Sequence, residues 1–469
     1  MRTLISCLLI LVMAIQHGYT QQSGDKSALN ENQKLARELF RELVEINTTI
    51  NNGCGKAAKA MANRLRKAGF AAADVKLVGP APQHLNLVVH YRGKGILPPV
   101  LFIGHLDVVE ALPGDWSMDP FQFTELDGYF YGRGTLDMKG DDASLVANLI
   151  RLRQEGFIPD RDIIVALTEN EEGGDANGVQ WLLNNRRDLI NADYCINPDG
   201  GGGDIKNGME NTLAIQTSEK IYLDYTFEVR NKGGHSALPV QENAIYRLSN
   251  ALIRLSAYEF PLHLNETTRM YFERNALKES GQMKEDMLAM ARIPTDMAAA
   301  KRIAAAAPYY KANMRNTCVA TMLSGGHAEN ALPQTAKANV NCRMLPDDKP
   351  DSVLATLRKI VADSLVTITC TYSSVQGPLS LLRKDVLDAV DKLAVSMWPG
   401  VIVTPSMSLG ASDGRFLRAA NMPVYGVSGM FIDVEDIRAH GRDERIGVKE
   451  FYNGVEFMYR LMKALTSPN

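Results

Sequence analysis

Residues 99–116 read PVLFIGHLDVVEALPGDW: an apolar run that ends in a histidine and, two positions on, an aspartate. If PVLFIG is a buried strand, His105 and Asp107 project to the same side, because side chains alternate with period two. Asp107 then stands where it can hold the second ring nitrogen of His105, the arrangement commonly found behind a metal-ligating imidazole. On its own the pair is a weak signal, since a His-x-Asp is more often a surface or capping pair.

Outward from this stretch the chain alternates strands with helices. Helical spacing of apolar residues covers 31–46 and 55–69, and HLNLVVHY (84–91) reads as a strand. A hairpin-like stretch (121–134), a helix from about Asp141 to Glu155, the strand DIIVALT, a helix from about Asn177 to Leu189 and the strand ADYCI follow. This order predicts an α/β fold whose mostly parallel sheet is flanked by helices. At residue 221 the style changes to strand, helix, two strands, helix, an α+β pattern, and from about 385 the α/β style returns. The reading is one α/β domain (28–215 and 385–469) carrying an inserted α+β domain at 216–384. An Ala-rich stretch at 291–308 reads as helix. Two domains also suit a chain of 469 residues.

With 45% hydrophobic and 22% charged residues and a net charge of −3, the composition is that of an ordinary globular protein. No basic run points to nucleic acid. Residues 1–20 have a basic start and an apolar stretch from Leu4 to Ile15, which is short for a membrane span and suits a cleaved signal peptide. The expectation is a secreted or periplasmic protein with no stable membrane span. Beyond the leader lie Cys54, Cys195, Cys318, Cys342 and Cys370. That set is too sparse for a disulfide scaffold, but an oxidising compartment allows one bridge, for instance Cys318 to Cys342. Asn47 and Asn265 begin glycosylation sequons.

The expected strand ends share one property: each leads into acids. GRGTLDMKGD carries Asp137, LTENEEGGD carries Glu171 and Glu172, and INPDGGGGD carries Asp199. Taken singly, these suit a helix cap, a solvated loop and a turn. Sites in open parallel sheets form beyond the carboxyl ends of the strands, so the acids converge with His105. Several carboxylates in one crevice repel one another unless a cation binds. Carboxylates mixed with imidazole suit zinc, manganese or cobalt, and a shared carboxylate gives the two-metal arrangement used in hydrolysis. Among the remaining histidines, His440 in RAHGRDERI lies in the returning α/β part and is the best further candidate.

In order, HLDVV, GRGTLDMKG, TENEEGG, NPDGG, KGGHSALP, GASDGR and AHGRDE resemble the motifs of the M20 metallopeptidases, a group that includes glutamate carboxypeptidase, aminoacylase and dipeptidases. The resemblance runs from about residue 35 to the end. It implies a zinc-exopeptidase-like catalytic domain with an inserted lid or dimerisation domain, and two divalent ions, zinc first, with cobalt or manganese as alternatives. His105 and Asp199 would hold one ion, Glu172 and His440 the other, and Asp137 would bridge them. Glu171 would be the general base and Asp107 would orient His105, while a cis peptide would follow Asp137. His235, in a glycine turn, would stabilise the oxyanion, often in a partner subunit's site, which implies a homodimer. Asn330, Arg343 and Arg415 match the family's substrate-binding positions; an arginine can grip a terminal carboxylate bidentately.

Two features depart from the pattern. Asp199 stands where carboxypeptidase-like members commonly have glutamate, which resembles the dipeptidase and aminopeptidase branch. Residues 260–315 enlarge the inserted domain beyond the smallest family lids. The expected activity is cleavage of amide bonds in small peptides, as an exopeptidase, dipeptidase or carboxypeptidase. The alternatives are hydrolysis of N-acyl amino acids and, more remotely, a non-catalytic binding protein on the same scaffold.

Overall fold

The computed structural model describes residues 29–467 apart from Asp175. The expected leader at 1–20 lies outside the described residues. Six strands make the central sheet, in the order Val75–Ala81, His84–Tyr91, Ile163–Thr168, Val100–His105, Tyr194–Ile196, Val424–Tyr425. The last four run parallel, whereas the first two pair antiparallel at one edge. Val100–His105 and Ile163–Thr168 are buried at every position, which is why they read as unbroken apolar runs rather than alternating ones. The edge strand Val75–Ala81 escaped the sequence reading because Gly79 and Pro80 interrupt it.

Helices cover both faces. Glu31–Glu45, Gly55–Lys67, Lys139–Gln154 and Val448–Thr466 bury their apolar sides in one core with Phe102 and Val165. On the other face Val179 and Leu182 of one helix and Phe416 and Leu417 of another pack against Leu101 and Ile103. A second sheet of Ile402–Ser408, Met209–Glu219, Gly202–Lys206 and Phe431–Asp433 adjoins this body. Sequence reading missed it; Gly202–Lys206 is glycine-rich and Phe431–Asp433 is only three residues long.

The chain leaves that sheet at Glu219, passes through the buried Lys220 and enters an antiparallel sheet at Ile221. There Thr317–Gly325, Thr335–Met344, Ile221–Arg230 and Val366–Ser373 lie side by side, with helices Ala244–Ser256 and Pro350–Val361 closing a separate core. Alternation is strict: Leu223, Tyr225 and Phe227 point into that core, leaving Tyr222 and Asp224 on the opposite face. Cys318 and Cys342 sit directly opposite one another on neighbouring strands and form a disulfide.

Residues 262–314 fold as a helical cluster with its own apolar centre around Phe272, Met287 and Ile303. Its first helix, Glu266–Asn275, packs on Ile402–Ser408, and Arg274 bonds Asp391. The Ala-rich stretch is not one helix, contrary to expectation. Gly281–Ala291 ends before Pro294, and a new helix starts at Met297 under an Asp296 cap. Proline lacks the amide that would continue the helix and clashes with the preceding turn. Asn265 caps its helix with its side-chain oxygen while Nδ2 is buried, so that sequon does not present a free amide. Among the described residues no helix is long and apolar enough to cross a membrane.

Candidate metal centre

Asp137 stands between two histidines. Its Oδ1 lies 3.2 Å from His105 Nε2, and its Oδ2 lies 3.0 Å from His440 Nε2. His440 Nε2 is also 2.9 Å from Glu172 Oε1. Two triads share Asp137: His105, Asp137 and Asp199 on one side, and Asp137, Glu172 and His440 on the other, each with ligand atoms within 4.8 Å of one another. The local chain explains the placement. His105 ends a buried strand, Asp199 occupies the short turn after Tyr194–Ile196, Glu172 follows Ile163–Thr168, and His440 sits in a loop at φ 61°. The peptide Asp137–Met138 is cis.

The electrostatics describe a site short of positive charge. Burial pushes Asp199 up to about 7 against the pull of His105. Burial, joined by Asp199, also raises Glu171 well above the usual carboxylate range. Asp137 is buried as well, but the two adjoining imidazoles outweigh that and hold it well below the usual range. Its partners Asp137 and Glu172 raise His440 to about 10. Asp137 Oδ1 is buried without an aligned hydrogen-bond donor although His105 Nε2 is close. Two imidazoles and three carboxylates fit two divalent ions of the zinc, cobalt or manganese kind.

Supporting residues fix the ligands. His105 Nδ1 lies 3.1 Å from the Asp107 carbonyl and 3.7 Å from its carboxylate. Asp107 does more than orient the ring, because its two oxygens accept the backbone amides of Glu171 at 3.2 Å and Glu172 at 3.0 Å. Two residues went unassigned at the sequence level. Glu444, in AHGRDE, is fully buried and binds the loop of Asp137, while Asp413, in GASDGR, accepts from Thr168 and Asn177 behind Glu171. Their signal was an acid inside each motif, indistinguishable by sequence from a turn residue.

A cavity of about 500 Å³ opens at the centre, lined by Glu171, Glu172 and Arg415 on one wall and by Tyr222, Asp224 and Tyr372 on the other. Arg415 Nη1 is 3.7 Å from Glu171 Oε1. Arg343 stacks over the Tyr222 ring at 4.5 Å and donates to the Leu409 carbonyl at 3.3 Å. Both arginines therefore flank the cavity, Arg415 directly and Arg343 through Tyr222. His235 and Asn330 are elsewhere. They sit at a small exposed ribbon, where Ser236 N donates to Asn330 O and His235 pairs with Ala331, and neither lines this cavity.

A fold of this kind with paired His/carboxylate triads defines a metal-dependent hydrolase, and comparison with known proteins gives the family. The model for Peptidase family M20/M25/M40 matches residues 101–464. The chain belongs to this family of metallopeptidases and amide hydrolases. It is 27% identical to a probable carboxypeptidase S-like 2 of Dictyostelium discoideum, over 81% of this chain and 75% of that one. It is 28% identical to the N-fatty-acyl-amino acid synthase/hydrolase PM20D1 of Homo sapiens, over 78% of this chain and 74% of that one. Among solved structures it resembles the M20 family metallo-carboxypeptidase Sso-CP2 of Sulfolobus solfataricus, with TM-score 0.66 and 17% identity, covering 93% of this chain and all (100%) of that one.

Proposed function

We propose that the protein is a two-metal hydrolase that cleaves the amide joining an acyl group to an amino acid, in a small peptide or an N-acyl amino acid. The observation that carries this reading is the Asp137 carboxylate shared by the two triads, with Glu171 on the wall of the adjoining cavity. His105, Asp137, Asp199, Glu172 and His440 would hold the ions, which when bound supply electrophilic activation of the scissile carbonyl and of water. Glu171, on the wall of the cavity beside Glu172, takes a proton from the attacking water and hands it to the departing amine. Arg415 gives the cavity wall a positive charge, backed by Arg343 behind the Tyr222 ring, which suits a free α-carboxylate on the leaving side.

Between the two substrate classes, similarity to the human N-fatty-acyl-amino acid synthase/hydrolase favours N-acyl amino acids, and the carboxypeptidase-like relatives favour peptides. A panel of dipeptides, longer peptides and N-acyl amino acids separates them. Cleavage confined to N-acyl amino acids would remove the peptidase reading. Replacing Glu171 by Gln tests the mechanism itself: turnover falls by two to four orders of magnitude while metal content holds. Unchanged turnover would refute the base assignment.

The proposal includes a lid at 216–384 on a catalytic body of 28–215 and 385–469, supported by the separate core of the antiparallel sheet. It includes export to an oxidising compartment, supported by the leader-like sequence of residues 1–20 and by the Cys318–Cys342 bridge. It also includes a homodimer in which His235 serves the partner's site, supported by its exposure away from its own cavity. A purely monomeric protein by sedimentation would remove the last part.

A further inference from the structure

The cavity of about 500 Å³ carries opposite charges on its two walls. Arg415 stands on the catalytic wall, and Asp224 stands on the antiparallel sheet with Tyr222 and Tyr372, whose ring centroids are 5.6 Å apart. Three acids line this cavity. Glu172 belongs to a metal triad and Glu171 stands against Arg415, which leaves Asp224 to meet a ligand. We propose that Asp224 selects the amino acid released by hydrolysis: it binds a positively charged side chain on that residue while Arg415 takes its α-carboxylate, so that substrates ending in a lysine- or arginine-type residue are preferred. The proposal rests on the amide-hydrolase reading above and adds which amino acid the substrate carries.

The sheet holds this carboxylate in one orientation. Asp224 lies on Ile221–Arg230, directly opposite Asn341 on one neighbouring strand and Tyr372 on the other. Asn341 Nδ2 donates to Asp224 Oδ1 at 3.0 Å and Asn339 Nδ2 to the same oxygen at 3.1 Å. Each amide also has a second acceptor that fixes its direction, the Leu223 carbonyl at 3.4 Å for Asn341 and Thr321 Oγ1 at 2.9 Å for Asn339. Because both amides go to Oδ1, Oδ2 is left to the Tyr222 hydroxyl and the cavity. Partial burial pushes the carboxyl up, but the Asn341 and Asn339 amides and the Tyr222 hydroxyl outweigh it and hold Asp224 below its usual range. These bonded partners are all neutral, so they orient the charge without cancelling it. Arg343, the cation that acts on Asp224 from nearby, is stacked over the Tyr222 ring and donates to the Leu409 carbonyl. A charged oxygen facing a ligand site selects a charged donor, since such bonds are roughly twice as strong as neutral ones. The two tyrosine rings suit the same ligand, because aromatic faces attract cations and pack the methylene stems that carry them. The nitrogen next to the α-carboxylate is the scissile amide and bears no charge in the substrate. With the carboxylate on Arg415, the cation that reaches Asp224 in the same cavity therefore belongs to the side chain.

The test uses zinc-loaded full-length protein with α-N-acetyl and α-N-octanoyl derivatives of lysine, arginine and norleucine, and with the alanyl dipeptides of the same residues. Norleucine matches the lysine stem without its charge. The expected result is a kcat/KM for lysine and arginine about ten- to hundredfold above that for norleucine, whichever acyl group is present. In Asp224→Asn, which keeps the shape, that ratio falls to within about twofold of unity. A second readout needs neither turnover nor that variant: by calorimetry, Glu171→Gln protein is expected to bind the lysine derivative about tenfold or more tighter than the norleucine one. Equal cleavage and equal binding of lysine and norleucine derivatives would overturn the proposal while leaving the hydrolase reading intact. A preference for lysine that survives in Asp224→Asn would overturn the assignment to this residue. Dependence on Asp224 that appears with every alanyl dipeptide and with no acetyl or octanoyl derivative would place the cation on a free α-amine instead and overturn its placement on the released residue. Failure to cleave any N-acyl amino acid or peptide would overturn the functional reading beneath it.

Discussion

The Glu444 carboxylate accepts the backbone amide of Asp137 at 3.0 Å and that of Leu136 at 2.7 Å, while its other oxygen meets Arg133 at 2.6 Å and Gly134 N at 3.1 Å. The segment that carries His440 thus also fixes the loop that carries the shared aspartate. One buried carboxylate sets the spacing between two ligands that are remote in sequence.

Removing Glu444 leaves Arg133 buried and unpaired. Glu444→Ala is expected to lose about 3–5 kcal/mol of stability, read by denaturant unfolding. Glu444→Gln keeps the shape but not the charge, and is expected to retain the fold with reduced metal content. Full metal loading in both variants would show that the loop is held by other means.

Asp107 meets the His105 ring through its backbone carbonyl, while its carboxylate, 3.7 Å from that ring, accepts the amides of Glu171 and Glu172 and so fixes the loop of the second triad. Asp107→Ala is therefore expected to weaken metal binding by about 10- to 100-fold, measured by competition with a chromophoric chelator. An effect confined to turnover, with unchanged affinity, would contradict this positioning role.

Lys220, at the passage between the two sheets, is buried and bonds the Arg315 carbonyl at 2.7 Å. Burial, with Arg343 adding to it, lowers its ammonium to about 7. Between that value and its ordinary value of roughly 10.4 the unfolded chain binds a proton that the folded chain lacks. The lysine's contribution to stability accordingly rises with pH across this window, is lost as pH falls from about 10.4 to about 7, and changes no further below that. Lys220→Met should remove that part of the slope. Denaturant unfolding of both proteins from pH 7 to 10 should show the parent gaining on the variant by up to roughly 4 kcal/mol. Parallel curves would contradict the lowered pKa.

The Cys318–Cys342 bridge closes a segment with a sequence separation of 24 residues at the edge of the antiparallel sheet. Chain-entropy reasoning assigns it roughly 3 kcal/mol. The double variant Cys318→Ser/Cys342→Ser should lose about that much in denaturant unfolding, with the metal centre unaffected.

The sequence makes the parallel strands of the central sheet and their acidic ends legible for one physical reason. Strands buried on both faces must be continuously apolar, and the ligands must follow them. HLDVV and TENEEGG therefore announce both fold and site. What the chain hides are features made by distant pairing. Gly202–Lys206 has too little side chain to declare itself a strand, and only its partner Met209–Glu219 makes it one. Tyr222 and Asp224 look like the solvated face of an amphipathic strand, yet that face looks onto the cavity. Pro294 broke the Ala-rich helix although alanine propensity favoured continuing it.

The central claim is that two metal ions held around Asp137 drive amide hydrolysis. The most direct test counts metal in the purified protein and follows cleavage of the N-acyl amino acid and dipeptide panel before and after chelation. The account predicts about two equivalents of divalent metal, with activity lost on chelation and restored by zinc or cobalt. Cleavage that persists in metal-free protein, or a protein that binds no divalent metal, would contradict it.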